Sequence, residues 1–498
     1  MVTMTLRELL APWIKQIPFE CLITGISMNS MTAQYGDLFI AIQGHKQDGR
    51  DYIPSAIAKG VAAILAEAKG QTKHGEIHKL HDVPIIYFNQ LNKMLSAIAG
   101  HFYQQPSRFL RLIGITGTNG KTTISYLLAN WLSLLGETSA VMGTIGNGIF
   151  GNLNASNNTT SSAIEIQRFL RQVCDQGVKF SIIEVSSHGL VQDRVSNLNF
   201  AAAVFSNLSQ DHLDYHLDMV QYEKAKWKLF SELNVSKRII NVDDTVGKNW
   251  LVHLPQAVAV TANNSIPHNW PGYWLCARKI IHHTSGVNIN FNSYWGSGEI
   301  YSNLIGEFNV SNILLSLATL LVLGYSLKNL VKTSRKLQAI CGRMEVFSAH
   351  GWPVVIVDYA HTPDALAKAL LAVKMRCQGK IWCIFGCGGN RDKSKRPIMG
   401  AIAEEYADYI IITNDNPRWE EPQDIIEDIK CGFINGNHTN KTVILCRSLA
   451  IQHAIIHASP QDIILIAGKG HENYQIIKGK QFYYSDRIVV SNMLKLEV

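Results

Sequence analysis

Short apolar runs alternate with helical stretches along most of this chain, and that alternation predicts an α/β architecture. Near the N-terminus, Asp37-Leu-Phe-Ile-Ala-Ile42 reads as a strand and Tyr52 to Lys59 as a helix. Ala62 to Ala66 and Val83 to Tyr87 read as further buried strands, and residues 91–110 carry a helix onward. In the middle, Leu110 to Ile115, Ser181 to Val185 and Ala201 to Phe205 are apolar runs of strand length, and Tyr222 to Phe230 is helical. Between Trp274 and Leu304 the runs become short and interrupted, which predicts an antiparallel excursion. Phe308, Val310, Ile313, Leu314, Leu317, Leu320 and Leu321 then trace one helical face that stops at Gly324. Beyond about residue 339, strands read at Val354–Val357, Ile381–Phe385, Tyr409–Thr413, Val443–Leu445 and Ile463–Ala467, with helices between them. That pattern predicts a doubly wound, Rossmann-like sheet. A length of 498 residues accommodates three domains at about 150 residues each. The expected divisions are 1–90, a small N-terminal α/β domain; 91–338, a central parallel-sheet domain with the antiparallel excursion; and 339–498, the Rossmann-like domain.

The stretch Gly114-Ile-Thr-Gly-Thr-Asn-Gly-Lys-Thr-Thr123 follows the first central strand and opens a helix with apolar residues at Ile124, Leu127, Leu128, Trp131 and Leu132. Strand, glycine loop, Lys-Thr and helix describe a phosphate cradle, so the central domain reads as P-loop ATPase-like. Backbone N–H groups converge on phosphate oxygens and the helix N-terminus adds partial positive charge. In such a loop Lys121 reaches the β- and γ-phosphates, and the Thr122 hydroxyl is placed for Mg²⁺. The spacing is Gly-x-x-Gly-x-x-Gly-Lys-Thr, with Ile115 where a strict Walker sequence has its first glycine.

Polar clusters follow the other strands. Glu184 lies in the run ending at Ser186-Ser-His-Gly189, and Asn207-Leu-Ser-Gln-Asp-His-Leu-Asp-Tyr-His216 follows Phe205. Ligands of parallel α/β sheets gather outside the carboxyl ends of the strands, so Glu184 and His212 are candidate Mg²⁺ ligands. In the third segment the strand ends carry Asp358-Tyr-Ala-His-Thr-Pro363, Gly386-Cys-Gly-Gly-Asn-Arg-Asp-Lys393, Asp415-Asn-Pro-Arg418 and Gly468-Lys-Gly-His-Glu472. The N-terminal loop Gly44-His-Lys-Gln-Asp-Gly-Arg50 either grips an anion or is a solvated turn, and composition favours the turn. Spacing alone does not distinguish Lys224, Lys226 and Lys228 on their helix.

Composition narrows the function classes. Hydrophobic residues make up 47% and charged residues 17%, as in a core-burying globular protein. A net charge of +7 without a Lys/Arg block suits an acidic ligand and is too diffuse for nucleic-acid binding. No apolar stretch approaches the ~18 residues of a membrane span, and no signal-peptide pattern opens the chain. The nine cysteines form no C-x-x-C pair, which fits free thiols in a reducing cytoplasm.

Taken in order, the glycine loop, Glu184-Val-Ser-Ser-His-Gly189, Asp211-His-Leu-Asp-Tyr-His216, Gly342-Arg-Met-Glu345, Asp358-Tyr-Ala-His-Thr-Pro363 and Asp415-Asn-Pro-Arg418 resemble the Mur ligases over nearly the whole chain. The resemblance is strongest to the diaminopimelate-adding members. It implies an ATP-dependent, cytoplasmic, monomeric ligase of peptidoglycan precursor synthesis that joins meso-2,6-diaminopimelate to UDP-N-acetylmuramoyl-L-alanyl-D-glutamate through an acyl phosphate. It implies ATP contacts at Gly117, Thr118, Asn119, Gly120, Lys121, Thr122, Thr123, Asn309, Arg343 and Asp358. One Mg²⁺ would sit on Thr122 and a second on Glu184, His212 and Lys226, the last as its N6-carboxylated form. The UDP-sugar peptide would meet Met28, Ser30, His45, Lys46 and Gln47, and then Asn158, Thr159, Thr160, Ser186, Gln192 and Arg194. Diaminopimelate would meet Arg391, Asp415, Asn416, Pro417, Arg418, Gly468 and Glu472, with Glu472 as counter-charge to an ammonium.

The chain departs from its relatives at Asn29-Ser30-Met31, where Asp-Ser-Arg is usual, at Asn390, where aspartate is usual, and at the bulky Trp419. Two other readings compete: a folylpolyglutamate synthetase, which shares the glycine loop, and an inactive nucleotide-binding regulator of cell-wall assembly. Arg418 matches the extra carboxylate that separates diaminopimelate from L-lysine, because a guanidinium presents two parallel N–H donors. Its structural alternative is a strand-end salt bridge.

Overall fold

The computed structural model describes residues 2–44, 47–70, 72–156, 158–263, 270–283, 286–434 and 440–496. Two compact units emerge: residues 1–116, 137–203 and 225–236 form the first, and 117–136, 204–224 and 237–498 the second.

In the first unit a five-stranded sheet runs Gly25–Ser27, Asp37–Ala41, Ala63–Glu67, Val83–Phe88, Ile77–Leu80. All neighbours are parallel except the last pair. Leu38 and Ile40 face one core with Leu9, Leu65 and Phe102, while Phe39 and Ala41 face another with Ile53 and Ile64. A sheet covered on both faces leaves no room for a polar stripe, which is why these strands read as continuous apolar runs. The helix expected over 91–110 ends at Phe102. Gln104 and Gln105 take positive φ and Pro106 starts a separate 3-10 turn, so the chain turns there. The same unit holds parallel strands Ser139–Met142, Phe180–Glu184 and Arg111–Thr116, flanked by the antiparallel pair Asn147–Ile149 and Asn152–Asn154.

In the second unit, Val258–Thr261 pairs in parallel with residues 239–241 and with the start of Trp274–His283. From there the sheet turns antiparallel through Gly286–Ser293 and Gly296–Ser302, the predicted excursion. Helix Lys121–Leu134 packs against helix Glu307–Val322, which is buried nearly all round, Leu315, Ser316, Ala318 and Thr319 included, rather than along the one face read from the sequence.

A six-stranded sheet completes this unit, ordered Glu345–Phe347, Val354–Val357, Ile463–Ile466, Ile381–Phe385, Tyr409–Ile412, Lys441–Val443. Only the first strand is antiparallel. The last strand sits at Lys441–Val443 rather than 443–445. Ile444 and Leu445 instead hydrogen-bond through their backbones as the chain leaves the sheet edge. Because Val354–Val357, Ile463–Ile466, Ile381–Phe385 and Tyr409–Ile412 are parallel, their loops share one rim. Helices and sheets thus layer as the pattern predicted, in an α/β fold. The cysteines are unbridged, and no helix of the described residues is long and apolar enough to cross a membrane.

Candidate active site

The glycine loop is shaped by two positions where no side chain fits. Gly117 has φ +148°, and a Cβ there would lie 1.9 Å from Ser206 Oγ; Gly120 has φ +87°, and a Cβ would lie 2.6 Å from Asn312 Oδ1. Gly114 belongs to the strand rather than to the loop, a correction to the sequence reading. It is a glycine because a Cβ would come within 2.7 Å of the Phe200 ring. That explains the departure from the Walker spacing: the loop itself runs only from Gly117 to Gly120.

Loop 206–209 holds this cradle. Thr118 N–H donates to Asn207 O at 2.8 Å. Asn119 N–H donates to Asn207 Oδ1 at 2.9 Å, and Ser206 Oγ donates to Asn119 O at 2.6 Å. Lys121 Nζ donates to the carbonyls of Gly117 and Thr118, both at 2.9 Å, so its ammonium lies over the loop that it would neutralise phosphate in. Thr122 and Thr123 are buried at the helix start.

The remaining expected ATP residues belong to the same unit. Arg343 donates from Nη2 to Thr122 Oγ1 at 3.0 Å and lies 4.4 Å over the Tyr359 ring. Its Nε is buried without a hydrogen-bond partner among the described residues. Asp358 accepts from the N–H groups of Met344 and Ala360 at 2.7 and 2.8 Å. Burial raises its pKa, opposed by Arg343. Asn309 is buried, donates to Ile305 O at 2.6 Å and accepts from Asn312 at 3.0 Å. His212, at φ 56°, opens a short helix beside Asp211. Burial works to raise the Asp211 pKa, but His212, His361 and Lys395 outweigh it and hold the carboxyl at about 2. His361 and Lys395 were not singled out from the sequence, although His361 lies inside a quoted motif.

The first unit gathers another group. Glu184 is buried at its strand end and accepts from both the N–H and the hydroxyl of Thr144, each at 3.0 Å. Gly143 leaves room for it, since a Cβ there would fall 2.2 Å from Glu184 Oε1. Sequence reading missed Gly143 and Thr144, because the strand before them, Ser139–Met142, is too short to stand out. Around Glu184, the Thr159 and Thr144 hydroxyls lie 3.1 Å apart, in hydrogen-bond contact, and Thr160 Oγ1 bonds Glu184 O at 2.8 Å and Ser186 Oγ at 3.0 Å. Arg194 donates to Thr160 O at 2.5 Å and to Gln192 Oε1 at 2.6 Å. Thr159, Thr160, Ser186, Gln192 and Arg194 therefore form one connected network. Asn158 lines an adjoining polar cleft of about 300 Å³ with Asn147, Ser161, Glu165 and Arg168. Arg168 ties that cleft to the five-stranded sheet, donating to Ile26 O at 2.5 Å and Tyr103 Oη at 2.9 Å. Met28 is partly buried, Ser30 buried, Gln47 exposed and Met31 82% exposed; His45 and Lys46 lie outside the described residues. Of the helix lysines, Lys224 is exposed, Lys228 half-buried and Lys226 only 1% exposed, a distinction that spacing did not provide.

On the rim of the six-stranded sheet, Arg418 sits at φ 55° with its N–H bonded to Ile476 O at 3.0 Å. Its Nη1 donates to Gly389 O at 2.9 Å. A Cβ on Gly389 would lie 2.0 Å from Pro417 O, so the two loops interlock. Among the described residues neither Arg391 nor Arg418 has an ion-pair partner, which removes the structural salt-bridge reading of Arg418. Burial, and then Arg391, hold the Arg418 pKa below the usual arginine value. Asp415 and Glu472 are instead taken by the buried Lys469, at 3.2 and 3.0 Å. Glu472 thus already has an ammonium, which the sequence reading reserved for the ligand. Two of the three departures from the family pattern meet here: Asn390 Oδ1 accepts from the N–H of Trp419 at 3.1 Å.

Comparison with known proteins gives the family. Family models match in chain order: Mur ligase family, catalytic domain at 22–103; Mur ligase middle domain at 115–320; and Mur ligase, glutamate ligase domain at 342–470. A solved UDP-N-acetylmuramoyl-L-alanyl-D-glutamate–2,6-diaminopimelate ligase is 32% identical, each chain covering 99% of the other, with a TM-score of 0.68. MurF from Acinetobacter baumannii, at 16% identity, 99% coverage of both chains and a TM-score of 0.68, shares the fold. So does folylpolyglutamate synthase from Mycobacterium tuberculosis, at 15% identity and a TM-score of 0.60, over 76% of this chain and 92% of that one. A phosphate cradle, a buried strand-end carboxylate and a rim of basic loops, matched in order by all three family models, place the chain in the Mur ligase family of ATP-dependent ligases that form amide bonds in peptidoglycan precursor synthesis.

Proposed function

We propose that this ligase adds meso-2,6-diaminopimelate to UDP-N-acetylmuramoyl-L-alanyl-D-glutamate. The observation that carries the reading is Arg418, a half-buried guanidinium with no ion-pair partner among the described residues, fixed by Gly389 beside a second unpaired arginine. Two cations so placed call for a carboxylate, and diaminopimelate has one more than L-lysine. The likeness to the diaminopimelate ligase at 32% identity supports the same choice.

On this reading the reaction passes through an acyl phosphate. The D-glutamate side-chain carboxylate attacks the γ-phosphorus of ATP, and ADP leaves. The amine of diaminopimelate then attacks the acyl carbon, losing a proton, and the tetrahedral intermediate collapses with release of phosphate. Several anions meet in these steps, so neutralising charge is the main catalytic demand. Lys121 exchanges its carbonyl partners, Gly117 O and Thr118 O, for phosphate oxygens. Arg343, with its unpartnered Nε, and Asn309 and Asp358 hold the nucleotide.

Donor chemistry, with the family resemblance, assigns Mg²⁺ to the Thr122 hydroxyl for one ion and to the Glu184 carboxylate, the His212 imidazole and Lys226 for another; Glu184 and Lys226 are buried. Lys226 serves there only as its carbamate, since carbamylation turns a buried ammonium into a carboxylate. When bound, the metal supplies positive charge to the phosphoryl oxygens. The muramoyl peptide is assigned to Asn158, Thr159, Thr160, Ser186, Gln192 and Arg194, and the uridine end to Met28, Ser30 and the loop holding His45, Lys46 and Gln47. Residues 1–90, 91–338 and 339–498 then bind the UDP end, ATP and the incoming amino acid, in a monomeric cytoplasmic enzyme.

Arg418→Ala tests the reading. The KM for diaminopimelate should rise by about thirtyfold or more, while that for ATP stays within about twofold. An unchanged amino-acid KM would refute it.

A further inference from the structure

Lys469 is 0% exposed, and two carboxylates close on its side-chain nitrogen. Nζ donates to Asp415 Oδ1 and Asn416 Oδ1, both at 3.2 Å, and to Glu472 Oε2 at 3.0 Å. All three partners are assigned above to the incoming amino acid, so the inference rests on that reading. The Asn416 amide is oriented by this contact. With Oδ1 held by Lys469 and by the N–H of Ile476 at 2.9 Å, Nδ2 points to Glu472 at 3.1 Å. The other Glu472 oxygen accepts from Tyr359 at 3.4 Å and Tyr474 at 3.5 Å.

We infer that Lys469 is a positioning residue that sets the substrate class, as a fixed internal ammonium presetting both the charge and the hydrogen-bond directions of the amino-acid site. Charges on the rim decide the outcome. Asp415 and Glu472 are negative, and Lys469, Arg418 and Arg391 positive, so the site carries one excess positive charge. An amino acid with two carboxylates, one ammonium and one neutral reacting amine carries the matching negative charge. L-lysine in the same state is neutral. Without Lys469 the site would sum to zero and two carboxylates would face an incoming third.

The loop backbones are held independently. Arg447 is fully buried, donates to Ala467 O at 2.8 Å and Asn414 O at 3.4 Å, and pairs with Asp486 at 2.8 and 2.9 Å. Removing the Lys469 ammonium therefore tests charge and orientation more than loop position.

The test uses the full chain, with phosphate release as readout and the UDP-linked dipeptide and ATP supplied. In Lys469→Met the KM for diaminopimelate should rise about tenfold or more, with the KM for ATP within about twofold. The kcat/KM ratio of diaminopimelate over L-lysine should fall about tenfold. In Lys469→Met combined with Glu472→Gln the excess positive charge returns. That ratio should recover to within about threefold of the unmutated protein while the KM stays about tenfold raised, a pattern that loosened folding does not produce. The double variant also serves if the single one fails to fold. A KM within about twofold of the unmutated value in either folded variant overturns the inference. So does a double variant as unselective as a folded single one. An unmutated protein that prefers L-lysine refutes the diaminopimelate reading on its own measurement, before any variant is made.

Discussion

Gly143 owes its identity to a neighbour: any Cβ there would fall 2.2 Å from the Glu184 carboxylate that Thr144 holds. Its φ lies outside the left-handed region, so alanine suits the backbone and the clash falls on the carboxylate. Gly143→Ala should cost about a hundredfold or more in kcat with the far-UV circular dichroism unchanged. Retention of near-normal turnover would mean that Glu184 is structural. Lys121→Ala should remove several kcal/mol of transition-state stabilisation, dropping turnover by orders of magnitude in a folded protein. Lys226→Ala should be nearly inactive, and short carboxylic acids should partly restore it by taking the place of the carbamate proposed there. Full activity in that variant would make the lysine structural. At this scale the placement of some residues was legible: Lys121 lies over the glycine loop that precedes it, and Arg418 stands on the rim of the six-stranded sheet. It was illegible where partners are distant in the chain. Nothing in Gly468-Lys-Gly-His-Glu472 says that Lys469 turns inward onto Asp415, and nothing near Lys226 says that it alone of three lysines is buried.

Among the elements, the third segment was the most legible, because parallel strands buried on both faces are plain apolar runs. Val354–Val357 and Ile381–Phe385 fall where the pattern put them, and Lys441–Val443 moved because an exposed edge strand has no such run. The loops between are pinned by ion pairs of long sequence separation. Glu420 accepts from Arg396 at 3.0 and 3.2 Å and from the N–H of Asn390, joining the Gly386 loop to the Arg418 loop. Burial acts to raise the Glu420 pKa, but Arg396, the Asn390 N–H and Lys393 prevail and bring it to about 2. A carboxylate with a lowered folded pKa stabilises above its unfolded value near 4.5 and loses that stabilisation as pH falls toward about 2. Urea midpoints should therefore drop over that window in the unmutated chain, and more shallowly in Glu420→Gln. Parallel pH dependences in the two proteins would contradict the assignment.

For the molecule as a whole, fold class and family were open to sequence reading. The ordered motifs sit at strand ends, where α/β chemistry gathers, and the family models follow the same order. The substrate is the part that fold leaves open, because solved structures at 15 or 16% identity share this fold under different names. On the proposed reading it depends on a few rim charges: Arg391 and Arg418, without ion-pair partners among the described residues, and Asp415 and Glu472, paired from within by Lys469. The most direct test is phosphate release by the unmutated protein with ATP and UDP-N-acetylmuramoyl-L-alanyl-D-glutamate, comparing meso-diaminopimelate with L-lysine. The account predicts turnover that requires the dipeptide and a kcat/KM for diaminopimelate about thirtyfold or more above that for L-lysine. Equal use of the two amino acids, or a preference for L-lysine, would contradict it.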